Sequence, residues 1–516
     1  MSILRGLLLG LLALLFVYPL ARLLSLPFFV HVAATADPRA YLDSLAMALL
    51  VGLIVAPLGA MFAHALETLR GNMVRALGLA LWVLFLSPGY VLTTGWLVVF
   101  TNPLSRNSFF GHAFLGPAGL IFLYCLKSIP FATFVARATF AQSSSALMEA
   151  ALVLGVSVWR RRWLALRLAL PAMAASFTIA AIETMQEFGI PATLGITAKL
   201  PVITYAIYQR LNTTPTDFAG AAALCWWLIL TAGLLAVLQL SVQARHQAAL
   251  TQGRARRNAP RPCTRFENLF FTASAGLLWG LGVAVPMLAL VSVAMSSDDP
   301  GVESFDAVLR SLGYGMLAAS VALATGVIVL KLRAGRSIWF PAVLQGLLSA
   351  NMAVPGLILG AGYVIAFNNQ YLPLYGTVLL LVIAYSAGAL PIAIRLMGTA
   401  IAQLDPKLDE AARIFALPKV TRLIDIQATL LAKPGLYAWL LVVAGVMYEL
   451  PISELLYVPG AMPLGVAIVS DDMMAHYSDA ARLALLGMVS LGVLAMGLGG
   501  LVHLMTRPNT ERAITP

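Results

Sequence analysis

The segment ALMEAALVLGVSVWRRRWLALRLALP, Ala146 to Pro171, is a polar loop that carries several arginines between long apolar segments. A second segment of the same kind, KLDEAARIFALPKVTRLIDIQATLLAKP, runs from Lys407 to Pro434. Both contain Glu-Ala-Ala, and Glu149 and Glu410 are 261 positions apart. The chain therefore carries one polar segment twice.

Other landmarks keep nearly the same separation, which indicates an internal repeat. Each copy has Pro-Gly, five residues, then Gly-aromatic, as Pro88 to Trp96 and as Pro355 to Tyr363. We predict two homologous halves, residues 1–240 and 269–516, joined by a linker, residues 241–268. The separation is 261, 262 and 263 positions for the pairs Pro130 and Pro391, Glu187 and Glu449, and Pro171 and Pro434.

The composition is that of a membrane protein. Hydrophobic residues make up 60% of the 516 positions and charged residues only 11%, whereas soluble domains have roughly 25% charged residues. A membrane-spanning helix needs roughly 20 apolar residues, and backbone groups in lipid must be satisfied within the helix. We predict an all-α membrane protein with about twelve transmembrane helices in two tandem six-helix halves. These helices begin near Leu7, Tyr41, Ala76, Gly111, Leu168, Phe218, Leu269, Leu309, Trp339, Tyr375, Gly435 and Ala481.

The first apolar segment has two interpretations. Arg5 before a long apolar run is typical of a signal peptide, with Val32 to Ala34 as a cleavage site. The run is long for a signal peptide and Arg22 interrupts it, so we expect a retained first helix.

The charges of the loops predict the orientation in the membrane. Lys and Arg concentrate in cytoplasmic loops, and here they concentrate on the side of the two polar segments. The opposite loops are sparse in charge or acidic, as at Asp298 to Asp306. We expect both polar segments, the linker and both termini in the cytoplasm. The basic residues of that side are Arg5, Arg70, Arg75, Arg160, Arg161, Arg162, Lys331, Arg333, Arg336, Lys407, Arg413, Lys419, Arg422, Arg507 and Arg512.

The linker, Ser241 to Asn268, is rich in Arg, Gln and Pro and has no apolar periodicity. Its arginines would suit nucleic acid or lipid headgroups, but a solvated cytoplasmic linker also accounts for them. We favour the solvated linker and expect no nucleic-acid partner, with the lipid bilayer as the surroundings of the chain.

Both polar segments have a small residue four positions after the second alanine, Gly155 and Ala416. Glu-Ala-Ala in such a basic loop resembles the cytoplasmic EAA loop of permeases from binding-protein-dependent ABC importers. The segments Glu183 to Ile196 and Tyr448 to Leu456 resemble those that follow this loop in the fused, two-half permeases of the iron(III) transporter family. The chain departs from the family at the second Gly, here Ala416, and at the later Leu-Pro, here Arg167-Leu168 and Ala428-Thr429.

The resemblance implies a type I permease fold in the bacterial inner membrane and import of iron(III). Thiamine, phosphonate, polyamine or another small solute are the alternatives. Two copies of a cytoplasmic ABC ATPase and a periplasmic or lipid-anchored substrate-binding protein are the implied partners. In the family, a short helix of each loop docks in a groove of the ATPase, and the implied coupling residues are Glu149, Ala150, Ala151, Gly155, Glu410, Ala411 and Ala412.

The two glutamates also have a purely structural interpretation. Asp405-Pro406 is a start signal for a helix, Ser143 to Ser145 would start the other one, and acids near a helix N-terminus favour its dipole. Capping alone does not explain Glu-Ala-Ala twice at matching depth. We therefore favour docking, because small alanine side chains let another backbone approach closely.

Ionisable residues within membrane spans are costly and usually face a cavity or a partner. Glu183 and Glu187 would share one helix face, and Glu449 is the repeat equivalent of Glu187. Together with Glu454 and Lys127 they are candidates for the translocation path, where carboxylates suit a cationic solute. The alternative is that the carboxylates pair with Lys127 or cap broken helices beside Gly189, Pro191 and Pro451.

Enzymatic signatures are absent from the sequence. There is no Walker A motif, and neither the three cysteines nor the six histidines have the spacing of a metal site. We expect no enzymatic activity and no cofactor on this chain, with ATP bound by the partner subunit. A secondary transporter is the alternative class, but only ATPase coupling explains the Glu-Ala-Ala loops. A scaffold or sensor is disfavoured by the carboxylates within the membrane.

Overall fold

A computed structural model of the chain describes residues 2–29, 38–100, 103–140, 150, 151, 153–250, 264–296, 302–333, 339–415, 418, 421, 422 and 427–505. In these ranges every regular element is a helix, and one isolated β-bridge joins Asn368 and Pro373. The predicted all-α class is confirmed.

Ten helices of the described residues are long and apolar enough to cross a membrane. They coincide with ten of the twelve predicted spans. Their bounds are Leu4–Phe28, Pro38–Thr68, Pro117–Phe140, Trp159–Gln186, Phe218–Ser241, Arg265–Ala294, Phe305–Arg333, Val378–Ala402, Thr429–Met447 and Tyr477–Gly500.

The other two predicted spans, near Ala76 and Trp339, are not continuous helices. The first consists of Asn72–Leu86 and Gly89–Val99, which meet at an angle of 101°. The second consists of Trp339–Ala353 and Gly356–Phe367. Each break lies at the proline of the Pro-Gly motif, which has extended backbone and no N–H to donate to the preceding turn.

We call Gly89–Val99 and Gly356–Phe367 the central helices, because nearly every residue of both is buried. Each packs against the first membrane helix of the other half of the chain. A Cβ atom on Gly95 would lie 2.6 Å from the Cβ of Pro286, and one on Gly362 would lie 3.2 Å from the Cβ of Pro19. The two halves are therefore joined by reciprocal contacts between central helix and first membrane helix.

Shorter helices connect the membrane spans or flank them. Two of the spans contain a π-helical turn, Ala13–Val17 and Gly280–Ala284, shortly before the packed prolines. The short helices are Pro103–Arg106, Phe109–Phe114, Gly189–Ala198, Ile203–Asn212, Pro406–Ile414, Pro451–Leu456 and Leu464–Met473.

Two polar regions are more helical than the sequence suggested. The predicted loop up to Pro171 ends at Ser157, because the helix Val158–Gln186 already includes the arginines. A helix can extend past the apolar region when basic side chains keep their charges in water, and Arg167 stacks 3.3 Å over the ring of Trp163.

The helices on both sides extend into the predicted linker, residues 241–268. Phe218–Leu250 continues as a helix beyond Ser241, and residues 251–263 lie outside the described residues. The next helix begins with a capping box, in which Thr264 Oγ1 accepts from the Glu267 N–H at 3.2 Å and Glu267 Oε2 accepts from the Thr264 N–H at 2.9 Å.

Candidate functional site

The first predicted coupling helix ends in a Schellman motif. The Val156 N–H donates to the Ala151 carbonyl at 3.0 Å, and Gly155 has φ +65°. Glycine takes this conformation without steric cost, as expected for this position. Ala150 is exposed and Ala151 is buried. Glu149 lies outside the described residues.

The second predicted coupling helix is Pro406–Ile414. Asp405 Oδ1 accepts from the Lys407 N–H at 3.0 Å, so the predicted Asp N-cap followed by proline is confirmed. Glu410 is exposed and Ala412 is buried at 3% exposure. Ala411 lies in the helix, but its side chain and the residues Ala416 and Leu417 are outside the described set.

Both coupling helices end with two exposed apolar side chains that we did not predict. Val153 and Leu154 are 87% and 78% exposed, and Ile414 and Phe415 are 82% and 78% exposed. They hold the same positions relative to Glu-Ala-Ala in the two copies. Exposed apolar clusters of this kind are typical of protein contact surfaces. The matching apolar letters in the two segments were the signal in the sequence.

Lys127 lies beside the break in the first half. Its Nζ donates to the Ser87 carbonyl at 2.5 Å and to the Phe85 carbonyl at 3.3 Å, at the C-terminal end of Asn72–Leu86. A cation is favourable there because the last carbonyls of a helix are unpaired and the helix dipole is negative at that end. No ion pair joins Lys127 to a carboxylate in the described part of the chain.

Glu187 caps the helix that follows it. Its Oε1 accepts from the N–H groups of Gly189 at 3.0 Å and Ile190 at 3.4 Å, and both donors belong to the first turn of Gly189–Ala198. A Cβ atom on Gly89 would lie 2.5 Å from the same Oε1. In the first half, Gly89 therefore leaves room for this carboxylate, whereas a Cβ atom on Gly356 would lie 3.5 Å from Glu449 Oε1.

Glu449 makes the corresponding cap in the second half. Its Oε1 accepts from the Ile452 N–H at 2.7 Å, and its Oε2 accepts from the Ser453 N–H at 2.9 Å. The Ser453 hydroxyl lies 2.9 Å from Oε2. The structure thus gives both repeat-related glutamates the capping contacts that the sequence left open as the alternative to lining the path.

Glu183 and Glu454 are placed differently. Glu183 is half-buried one turn before Glu187. Glu454 Oε1 accepts from the Tyr208 hydroxyl at 2.7 Å, a contact between the two halves, while Glu454 Oε2 is buried without a hydrogen-bond partner in the described residues. The ring of Tyr208 lies 5.3 Å from Phe188 and 5.9 Å from Tyr205. Glu454 therefore faces a group of aromatic rings at the junction of the halves.

Two further contacts join the first central helix to the second half. The Tyr90 hydroxyl donates to the Tyr448 carbonyl at 3.2 Å, and Thr94 Oγ1 donates to Asp472 Oδ2. Asp472 is buried, and its Oδ1 has no partner among the described residues. The sequence did not point to these residues, because no local pattern marks them. Within the described ranges, no group of three His, Cys, Asp or Glu side chains could hold a metal ion.

A bundle of apolar helices long enough to cross a membrane, two of whose spans are broken, is the architecture of a multi-pass membrane protein. Residues 6–247 match the sequence profile of the binding-protein-dependent transport system inner membrane component. This part of the chain, just under half of its length, is thus similar to the permeases of binding-protein-dependent importers. The resemblance that the Glu-Ala-Ala loops carried is thereby confirmed.

Similar proteins have related names. The chain is 26% identical to the "Probable ABC transporter permease protein y4fN" of Sinorhizobium fredii over 402 aligned residues. The alignment covers 71% of this chain and 69% of that protein. It is 22% identical to the ferric transport system permease protein FbpB of Actinobacillus pleuropneumoniae, over 47% of this chain and 37% of that protein. It is 25% identical to the thiamine transport system permease protein ThiP of Brucella abortus, over 69% of this chain and 67% of that protein. No solved structure matches the chain.

Proposed function

We propose that this chain is a two-half permease of a bacterial inner-membrane importer for a cationic solute, with iron(III) as the first candidate. The family supports the importer class, and ferric and thiamine permeases among the similar proteins support a cation. The recurrence of broken span, glutamate cap and coupling helix in both parts of the chain supports the two-half organisation. A secondary transporter is disfavoured by the family.

The coupling helices are the contact with two copies of a cytoplasmic ABC ATPase in this proposal. The observation that carries it is the exposure of two apolar side chains at the same place in both helices, Val153 with Leu154 and Ile414 with Phe415. A soluble partner that covers them removes this apolar area from water. ATP binding would bring the two ATPases together and move the helices with them, switching the pore between two packed arrangements.

The junction of the halves is the proposed path, and its chemistry supports a cation. Glu454 presents a buried carboxylate oxygen that has no hydrogen-bond partner among the described residues, next to the hydroxyl of Tyr208. Hard cations prefer anionic oxygen ligands, which suits iron(III). Thiamine is the second candidate, because the rings of Tyr205, Tyr208 and Phe188 would stack on an organic cation. Lys127 is assigned to capping and not to the solute.

Reconstitution tests the proposal. The chain is placed in proteoliposomes with an ABC ATPase and a substrate-binding protein from the same organism, and ATP-dependent uptake of iron(III) and of thiamine is measured in parallel. We expect that one of the two cations is taken up, and that this uptake requires the chain, the ATPase and the substrate-binding protein together. Uptake driven by an ion gradient without the ATPase would refute the proposed class.

Variants of the coupling helices test the docking surface. The double variant Glu149→Ala/Glu410→Ala should uncouple ATP hydrolysis from uptake, and Leu154→Ser/Phe415→Ser should weaken ATPase binding by about tenfold, roughly 1.4 kcal/mol. Ser292→Ala, at an exposed hydroxyl that donates to the Ala289 carbonyl of its own helix, is the control. Unchanged ATPase binding and coupling in both double variants would refute the assignment of these helices.

A further inference from the structure

A cavity of about 550 Å³ opens in the second half between the helices Val302–Arg333, Trp339–Ala353 and Val378–Ala402. Its apolar wall includes Leu330, Leu348 and Ile394, and its polar wall includes Arg333, Arg395 and Gln403. The volume lies in the range of small-molecule sites. The cavity is therefore amphipathic, with cations on one side and hydrocarbon on the other.

The two arginines of this cavity, Arg333 and Arg395, form no ion pair within the described part of the chain. None of the residues that line the cavity is acidic. Both arginines are exposed. Guanidinium groups match the oxygens of a phosphate with paired hydrogen bonds, so a phosphate-bearing anion is the chemistry that this cavity fits.

In the first half an aromatic side chain holds the position that is equivalent to Arg395. Phe134 lies four positions after Pro130, as Arg395 lies four positions after Pro391. The ring of Phe134 is 5.1 Å from Trp82 and 5.7 Å from Phe85. The glycine contacts agree with this register, since Gly59 faces Ala132 and Gly326 faces Ala393 and Ile394. Arg395 therefore distinguishes the second half from the first, which has an aromatic residue at this position.

The cavity lies at the end of the molecule that the charge pattern assigns to the cytoplasm. Arg5 of the first helix donates to the Leu332 carbonyl at 3.0 Å and lies 5.2 Å from the ring of Phe340, next to the cavity. Gln403 ends the helix Val378–Ala402, and Asp405 caps the second coupling helix directly after it. A ligand here would touch the segment that leads into Glu410.

We propose that this cavity binds the phosphate headgroup of an anionic phospholipid from the cytoplasmic leaflet. The two guanidinium groups hold the phosphate, and an acyl chain lies along the apolar wall. Basic pockets between membrane helices on this side are suited to such headgroups. A soluble phosphate compound shares the headgroup chemistry but has no hydrocarbon chain to contact Leu330, Leu348 and Ile394. We therefore favour the lipid.

The test uses the full chain purified in mild detergent and titrated with phosphatidylglycerol, with bound lipid counted by native mass spectrometry. We expect saturable binding of one lipid that Arg333→Gln/Arg395→Gln weakens at least about tenfold. Arg395→Phe, which introduces the first-half residue, should abolish it. Arg137→Gln removes an exposed charge from the end of the first-half helix beside the aromatic side chains and is the matched control.

Equal lipid loss in Arg137→Gln and in the cavity variants, or retention of the lipid in Arg395→Phe, would overturn the proposal. A second arm adds glycerol phosphate as a soluble competitor. Displacement of phosphatidylglycerol only by a large excess supports the lipid, whereas displacement at equal concentration assigns the cavity to a soluble phosphate compound and overturns the lipid assignment.

Discussion

The two capping glutamates have different acceptor geometry, and this difference predicts unequal effects of the same substitution. At Glu187 a single oxygen, Oε1, accepts from both N–H donors, at 3.0 and 3.4 Å. At Glu449 each oxygen accepts one hydrogen bond, Oε1 from the Ile452 N–H and Oε2 from the Ser453 N–H. Glutamine has only one carbonyl oxygen, because its second terminal atom is an NH₂ donor.

The expected cost follows from this count. Glu187→Gln can keep both hydrogen bonds on its carbonyl oxygen and loses only the charge at a helix N-terminus, about 0.5–1 kcal/mol. Glu449→Gln loses the same charge and also leaves one half-buried backbone N–H without an acceptor, which adds about 1–3 kcal/mol. We therefore expect Glu449→Gln to be the more destabilising variant by about 1–3 kcal/mol.

The measurement is unfolding of the purified chain in mixed micelles, followed by tryptophan fluorescence as denaturing detergent is added. Glu183→Gln is the control, because no cap depends on Glu183, and it should unfold like the unmodified chain. If Glu187→Gln proves as destabilising as Glu449→Gln, the acceptor argument is wrong. Uptake lost in Glu187→Gln at unchanged stability would instead assign that carboxylate to the translocation path.

Other contacts lead to further expectations. Replacing Lys127 with Met should lower the free energy of unfolding by about 1–3 kcal/mol, because the Phe85 and Ser87 carbonyls lose a charged donor. An unchanged free energy of unfolding would contradict the capping role. Gly95→Ala should destabilise the junction more than Gly362→Ala, by about 1–3 kcal/mol, because the new methyl group at position 95 would lie 2.6 Å from Pro286. Equal thermal stability of the two variants would contradict this. Glu454→Gln should reduce cation uptake much more than Tyr208→Phe, and transport assays in which both keep full activity would exclude this pair from the path. Cys263 should resist an impermeant thiol reagent added to intact cells, and labelling from outside would reverse the predicted topology.

Local patterns in the sequence were sufficient for the membrane class, the position of most spans and the start of the second coupling helix. Asp405-Pro406 acts through a backbone rule that extends over only a few residues, and the structure confirms it. The positive φ of Gly155 is likewise a local property of glycine. The two broken spans show the limit of apolar length as a criterion. Their composition suits a continuous helix, but Pro88 and Pro355 interrupt the backbone hydrogen bonds.

Only the tertiary structure decided what the ionisable residues of the spans contact. The sequence offered Lys127 a carboxylate partner, but the folded chain brings it to the carbonyl end of another helix, 40 positions away at Ser87. Tyr208 and Glu454 are 246 positions apart, and they meet because the two halves pack against each other. Local periodicity determines which face of a helix is apolar, whereas the partner of a buried polar atom depends on how distant helices close around it. The repeat could therefore be read from the sequence, while the capping contacts, the exchanged central helices and the cavity with its arginines required the packed structure.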